Sequence, residues 1–173
     1  MRSWIMATLL LTLLAGACGE REPESPPTVP APVELPPVVR GVGEPDRVLY
    51  NQILISFAGA KGNRNSTRSR EQARRLAHTL VARLKAGEDY LRLMNDYSDD
   101  CSAASGKANG PYVACNIGVE HRLRPDNLPE IPRGDLERDV GDAVFSMGIN
   151  EARLVEYDER TCPWGWHILH RVR

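Results

Sequence analysis

The chain has 173 residues, of which 42% are hydrophobic and 26% charged, and its formal net charge is -1. These values are typical of one ordinary globular domain with additional segments. A net charge this close to zero excludes a general electrostatic attraction to nucleic acid, so we expect no nucleic-acid partner.

The start of the chain is predicted to be a signal peptide. Arg2 is followed by an apolar run at residues 5–14, shorter than the about 20 residues of a membrane-spanning helix. The small residues that come next, and Cys18, resemble the lipobox of a bacterial lipoprotein. This resemblance implies removal of residues 1–17, lipidation of Cys18 and anchoring in the cell envelope, at the outer membrane facing the periplasm because Gly19 is not Asp. A secretory signal with an incidental cysteine is the alternative.

Residues 18–46 are predicted to be an extended tether. They hold eight of the 13 prolines and almost no large apolar residue. Proline at this density favours polyproline II and does not support a packed core. The segment would hold a domain that begins at Arg47 away from the membrane, although a leader without a spacing role would have the same sequence.

The domain at residues 47–173 is predicted to begin with a strand and a long helix. Residues 48–57 are rich in β-branched and aromatic side chains and precede the breaker-rich stretch AGAKGNRNST. Ser69 and Gln72 have the spacing of a capping box at the start of a helix that Gly87 ends. A second, short helix would carry on one face Tyr90, Leu93, Met94 and Tyr97.

Shorter patterns predict the remaining elements. SAASGKANG is interpreted as a helical turn, PYVAC as a short strand, and ARLVEY and WHILHRVR as the last two strands. The apolar stripe of a fourth helix consists of Leu136, Val140, Ala143, Val144 and Met147. This order predicts an α+β fold, a four-stranded antiparallel sheet with about four helices packed around it.

The motifs TRSREQA, KAGEDY, YSDD, DAVFSM and GWHIL occur in this order. Together they resemble the parvulin-type peptidyl-prolyl cis/trans isomerase domain, from about Val48 to the end of the chain. The resemblance implies a rotamase, which rotates an X-Pro amide over a barrier of about 18–20 kcal/mol without breaking a bond. It implies proline-containing unfolded or exported polypeptides as partners and requires no cofactor. We also expect a monomer attached to the membrane through its lipid anchor.

The resemblance places a polar cluster beneath the proline pocket. Asp100 and His167 match family positions, and Cys162 falls on or near the position of a hydroxyl residue, where the alignment is loose. Gln52 replaces the His of the first strand. Because Gln donates and accepts hydrogen bonds but cannot become charged, we expect weakened catalysis.

The resemblance also assigns substrate-binding positions, which are Asn109, Tyr112, Val140, Phe145 and Met147. Asn109 stands where the family usually has Leu, and Val140 stands where it usually has Phe. Each lost apolar side chain removes about 1.5–3 kcal/mol of burial, so weaker proline binding is expected.

Several of these residues have ordinary structural explanations as well. His167 would also fit as a histidine buried in the sheet, and Asp100 as a helix cap beside Ser102. His167 and His170 lie three apart on a strand and hence on opposite faces, and there is no CxxC pair. We therefore expect no metal site.

Three cysteines remain once Cys18 is lipidated, and export makes a disulfide plausible. The resemblance brings the positions beside Cys101 and Cys162 together, which favours a Cys101–Cys162 bond. Cys115 paired with either of them stays an alternative.

Two main functional hypotheses follow. The first is a prolyl isomerase, weakened in activity, that assists folding of exported proteins at the bacterial envelope; Asp100 and His167 favour it. The second is a non-catalytic peptide-binding chaperone of the same fold, favoured by Gln52, Asn109 and Val140. A lipoprotein that docks to one fixed partner is a weaker third.

Overall fold

The computed structural model describes residues 34–63, 65–101, 108–120 and 130–173. The chain divides into two compact units, Met1–Leu35 and Pro36–Arg173. The predicted signal peptide, Cys18 and most of the tether lie outside the described residues, whereas residues 36–46 lie within the second unit. In the described part of the chain, no helix is both long enough and apolar enough to cross a membrane.

The described residues of the second unit form five strands and three α-helices. The strands are β1 (Arg47–Ile55), β2 (Tyr112–Cys115), β3 (Glu130–Pro132), β4 (Ala152–Val155) and β5 (Trp166–Arg171). The helices are α1 (Arg70–Lys85), α2 (Tyr90–Tyr97) and α3 (Arg138–Ser146). The strand order is β3-β2-β1-β5-β4, and every pair is antiparallel except β2 with β3.

The predicted α+β class is confirmed, but the predicted sheet is wrong in detail. It has five strands and is mixed, because β3 pairs in parallel with β2, with Val113 opposite Glu130. β3 is three residues long and ends at Pro132, so it has no alternating apolar pattern. Three α-helices are present in the described residues, and the helical turn predicted at 102–110 falls mostly outside them.

The capping box predicted at the start of α1 is confirmed. The Ser69 hydroxyl accepts a hydrogen bond from the Gln72 amide at 3.2 Å, and the Gln72 side-chain oxygen accepts one from the Ser69 amide at 2.7 Å. These two bonds satisfy backbone donors that the helix itself leaves unpaired. They define where α1 begins and hence which of its residues face the sheet.

The alternation of side chains along β1 separates two cores. Ile53 and Ile55 pack against α1 and α2, on the side that we call the α1–α2 face. Val48 and Tyr50 lie on the opposite side and pack with α3, on the α3 face. Gln52 has the same parity as Tyr50 and therefore belongs to the α3 face.

The neighbouring strand β5 divides in the same way. Trp166 and Ile168 lie in the core of the α1–α2 face, and Leu169 lies in the core of the α3 face. His167 shares the parity of Leu169 and is only 2% exposed. The fold therefore places Gln52 and His167 on one face of adjacent strands, beneath α3.

Candidate active site

Strands β1 and β5 bring Gln52 and His167 into contact. Gln52 is paired with Leu169, and Leu54 with His167, so the two polar residues are diagonal neighbours on the same face. Diagonal side chains of an antiparallel pair are within reach when they are long. The amide oxygen of Gln52 lies 3.3 Å from Nδ1 of His167.

Asp100 is the centre of a hydrogen-bonded cluster that includes Gln52. Its Oδ2 accepts from Gln52 Nε2 at 2.5 Å and from the Tyr112 hydroxyl at 2.7 Å. Its Oδ1 accepts from Asn109 Nδ2 at 2.8 Å. Burial, followed by the hydrogen bond to Asp100 and its charge, raises the pKa of Tyr112, which therefore stays a hydroxyl donor.

These contacts set the direction of the hydrogen bonds. A carboxylate oxygen only accepts, so the NH₂ group of Gln52 must face Asp100 and its carbonyl oxygen must face His167. Since that oxygen also only accepts, Nδ1 of His167 carries the hydrogen. Gln52 therefore fixes the direction of both hydrogen bonds: His167 donates to Gln52, and Gln52 donates to Asp100.

On its other side, His167 approaches α3. Nε2 of His167 lies 2.7 Å from Oε2 of Glu137, the N-cap residue of α3, a contact that becomes an ion pair if the imidazole is protonated. Nε2 has no hydrogen-bond partner among the described residues. Oε1 of Glu137 accepts from the Trp164 backbone amide at 3.0 Å. Sequence reasoning missed Glu137, because its contact depends on how α3 packs on the sheet.

Cys162 lies close to both His167 and Glu137. One ligand atom each of Glu137, Cys162 and His167 lies within 4.8 Å of the others, and we call them the Glu137–Cys162–His167 cluster. Burial, followed by the charge of Glu137 and of neighbouring acids, raises the pKa of the Cys162 thiol. The expectation of no metal site rested on the opposite faces of His167 and His170 and on the lack of a CxxC pair, and it did not consider this set.

Comparisons with known proteins identify the family and the fold. The family of the PPIC-type PPIase domain, Rotamase_3, matches residues 38–171. The chain belongs to this family. The peptidyl-prolyl isomerase ESS1 from Candida albicans has a similar fold, with a TM-score of 0.53 at 19% sequence identity. A search of curated proteins finds no match.

The match to the solved ESS1 structure covers 74% of this chain and 63% of that chain, so this chain spans less than two thirds of it. At this identity the likeness shows the fold. The resemblance to the parvulin, or PPIC-type, isomerases is therefore confirmed, together with the parvulin-like α+β architecture.

Two of the five predicted substrate-binding residues of this parvulin domain adjoin the polar cluster. Asn109 and Tyr112 are half-buried and bind Asp100. In contrast, Val140, Phe145 and Met147 are at most 3% exposed and pack in the core of the α3 face. These three side chains fill the core and do not form an open wall around a proline ring.

The predicted disulfide is not formed. Cys101, Cys115 and Cys162, the cysteines that the structure describes, are free thiols. The half-buried Cys101 donates to the Ser98 carbonyl at 2.7 Å, whereas the fully buried Cys162 lies in the core of the α3 face. The two thiols therefore face different surroundings, although the residue beside Cys101 belongs to the polar cluster.

Two arginines at the start of α1, Arg68 just before the helix and Arg70 as its first residue, are engaged within the protein. Arg68 forms an ion pair with Asp99 and donates to the Ser56 carbonyl, and Arg70 lies over the ring of Tyr157 at 4.5 Å from its centroid. These contacts leave the two arginines less free to receive an acidic side chain of a bound peptide.

Proposed function

We propose that this parvulin domain is a prolyl isomerase with a reduced rate that acts on proline-containing polypeptides. Family membership supports the reaction, and one observation carries the proposal. A continuous series of hydrogen bonds runs from the half-buried Asn109 and Tyr112 through Asp100 and Gln52 to the buried His167. Its outer members, Asn109 and Tyr112, are half-buried and keep part of their surface exposed.

The charge of Asp100 provides a physical basis for catalysis. A planar amide carries partial negative charge on its oxygen through resonance, and twisting the bond removes that charge. An anionic Asp100 beside the oxygen therefore disfavours the planar amide more than the twisted one. An interaction that differs between ground and transition state in this way lowers the barrier.

Three features support a reduced rate. Gln52 cannot become charged, and Asn109 occupies one oxygen of Asp100. Val140, Phe145 and Met147, which would hold the proline ring, are buried in the core. Loss of such contacts weakens substrate binding by about 1.5–3 kcal/mol for each side chain.

A protease-coupled isomerisation assay on the purified full chain tests the proposal. Peptides that differ in the residue before proline should isomerise faster than background, and Asp100→Asn should remove the excess rate. Asp96→Asn is the matched control, because this carboxylate lies on the exposed side of α2, 3.8 Å from Arg92. A rate equal to background for every peptide would contradict isomerase activity.

A non-catalytic peptide-binding chaperone is the second candidate, and the burial of Val140, Phe145 and Met147 favours it specifically. On this hypothesis the full chain suppresses aggregation of an unfolded model substrate, and Asp100→Asn retains that effect. Suppression that is lost together with the isomerase rate would favour the first candidate.

We further propose that lipidated Cys18 anchors the protein at the outer membrane, where exported polypeptides are its substrates. The support is the lipobox-like sequence and the proline-rich segment that follows it. Cys18→Ser should move the protein from the membrane fraction to the soluble fraction. A variant that stays in the membrane fraction would contradict lipid anchoring.

A further inference from the structure

We propose that the Glu137–Cys162–His167 cluster binds a zinc ion. The cluster offers one carboxylate oxygen, one sulfur and one imidazole nitrogen, which are the ligand types that Zn²⁺ prefers. These atoms lie within 4.8 Å of one another. Bonds of about 2.0–2.3 Å to one ion place ligands roughly 3–4 Å apart, so small side-chain movements suffice.

The strongest indication is the state of Nε2 of His167. The orientation of Gln52 assigns the hydrogen to Nδ1, so in the neutral ring Nε2 carries a lone pair. Nε2 is buried without a hydrogen-bond partner among the described residues, yet Oε2 of Glu137 is 2.7 Å away. A lone pair and a carboxylate oxygen repel each other at this distance, so the contact requires positive charge, supplied either by a proton on Nε2 or by a metal ion that both atoms bind once they move slightly apart.

Neighbouring groups hold two of the three ligands by hydrogen bonds, as is usual around metal ions in proteins. A histidine that binds a metal usually donates its other ring N–H to a fixed acceptor, and here Gln52 provides that acceptor and is itself held by Asp100. The Trp164 amide holds Oε1 of Glu137, which leaves Oε2 directed at His167.

Cys162 has a weak alternative partner. Its thiol donates to the Gly165 carbonyl over 3.5 Å, a contact that a metal bond would readily replace. On binding, the S–H bond breaks, sulfur keeps the electron pair as a thiolate ligand, and the proton passes to solvent.

The charges balance in the bound state. Two charges of Zn²⁺ are neutralised by the Glu137 carboxylate and the Cys162 thiolate, so the buried site carries no net charge. Asp139 and Asp158 lie close enough to act on Cys162, and their charges further favour a cation. With three protein ligands, the fourth position of a tetrahedral ion is left for water.

Zinc titration of the full chain against a chromophoric chelator tests this inference, which does not rest on isomerase activity. We expect one ion per chain. Glu137→Gln, Cys162→Ser and His167→Asn should each weaken binding by at least about 100-fold, since even outer hydrogen-bond partners are worth about 10–100-fold. Gln52→Leu, which removes such a partner, should weaken it by about 10–100-fold.

Two variants serve as matched controls. His78→Gln removes an exposed histidine that lies 3.0 Å from Glu156, and Cys115→Ser removes a buried thiol elsewhere in the sheet. Both should leave zinc affinity unchanged. In the wild type, Co²⁺ should produce a thiolate-to-metal charge-transfer absorption that Cys162→Ser abolishes.

Loss of fold is separated from loss of ligand by thermal melting of each variant without metal. Glu137→Gln keeps the shape of the side chain and its acceptor for the Trp164 amide, so it should stay folded. Absence of one-to-one zinc binding by the wild type, or unchanged affinity in folded Glu137→Gln, would overturn the inference. A peptide assay that fails while zinc still binds would contradict only the proposed enzyme.

Discussion

The two faces of β1 have the same backbone but very different side-chain environments. On the α1–α2 face, Ile53 and Ile55 are fully buried among apolar side chains of two helices. On the α3 face, the intervening Gln52 opens a polar path that reaches Asp100 and His167. One strand thus supports an apolar core on one side and a hydrogen-bonded polar cluster on the other.

The largest loss of stability is expected when a polar side chain is placed on the apolar α1–α2 face. Ile53→Gln would bury an amide among apolar neighbours and lose the packing of the Ile side chain. We expect a loss of about 3–5 kcal/mol in the free energy of unfolding, measured by urea denaturation. A loss below about 1.5 kcal/mol would mean that the α1–α2 face tolerates polar groups as the α3 face does.

The second prediction concerns the charged edge of the α3 face. Arg133 is 4% exposed and pairs with Glu44 at 2.5 Å and with Asp142 at 2.8 Å. Burial opposes ionisation of Glu44, but hydrogen bonds from Asn116 and Gly41 and the pairing with Arg133 outweigh it and lower its pKa. Glu44→Gln should cost about 1–3 kcal/mol of unfolding free energy at neutral pH.

The pH dependence follows from the direction of that shift. The pKa of Glu44 is lower in the folded state than its ordinary value of 4.5, so its charge stabilises the fold above that value. The contribution is lost as the pH falls through the folded pKa. The difference in unfolding free energy between wild type and Glu44→Gln should therefore shrink below about pH 4.5. A difference that is constant with pH would contradict this origin.

Substituting one tyrosine on each face allows a direct comparison of the two faces. Tyr90 donates to the Ile168 carbonyl at 2.5 Å on the α1–α2 face, and Tyr112 donates to Asp100 at 2.7 Å beside the α3 face. Tyr90→Phe should cost about 1 kcal/mol of unfolding free energy, the usual value of one neutral hydrogen bond, and Tyr112→Phe about 1.5 kcal/mol, the lower end for a bond to a charged group, because Tyr112 is only half-buried. Only Tyr112→Phe should change the isomerase rate per folded molecule. Equal effects on the rate would show that the faces are not functionally distinct.

Features of the fold that are encoded locally could be predicted from the sequence. The capping box of Ser69 and Gln72 placed the start of α1, and the β-branched and aromatic residues of 48–57 placed the first strand. β3 could not be predicted in this way. Its residues are half-buried and polar or proline, and its strand character comes from parallel pairing with β2.

The site shows the same limit. The apolar period of α3 indicated that Val140 and Met147 are buried, and the family resemblance suggested that they line a pocket; in the structure both lie in the core. A period identifies an apolar stripe but not what covers it. Glu137 could not be found at all, because a single acid before a helix usually faces solvent, and here the packing of α3 brings it to His167.

The smallest effect on stability is expected where an imidazole can repeat what the amide of Gln52 does. In Gln52→His, one ring nitrogen can donate to Asp100 and the other can accept from Nδ1 of His167, so both contacts are kept. The free energy of unfolding should change by less than about 1 kcal/mol.

The rate is expected to respond more strongly than the fold. An imidazole at position 52 restores the residue type of the family and can become charged, which the amide cannot. We expect about a tenfold higher rate in the protease-coupled assay, which corresponds to about 1.4 kcal/mol of barrier, the order of one improved hydrogen bond. If a stably folded Gln52→His shows an unchanged rate, Gln52 is not the cause of the reduced rate. The cause would then be the burial of Val140, Phe145 and Met147, which leaves them unable to hold the proline ring.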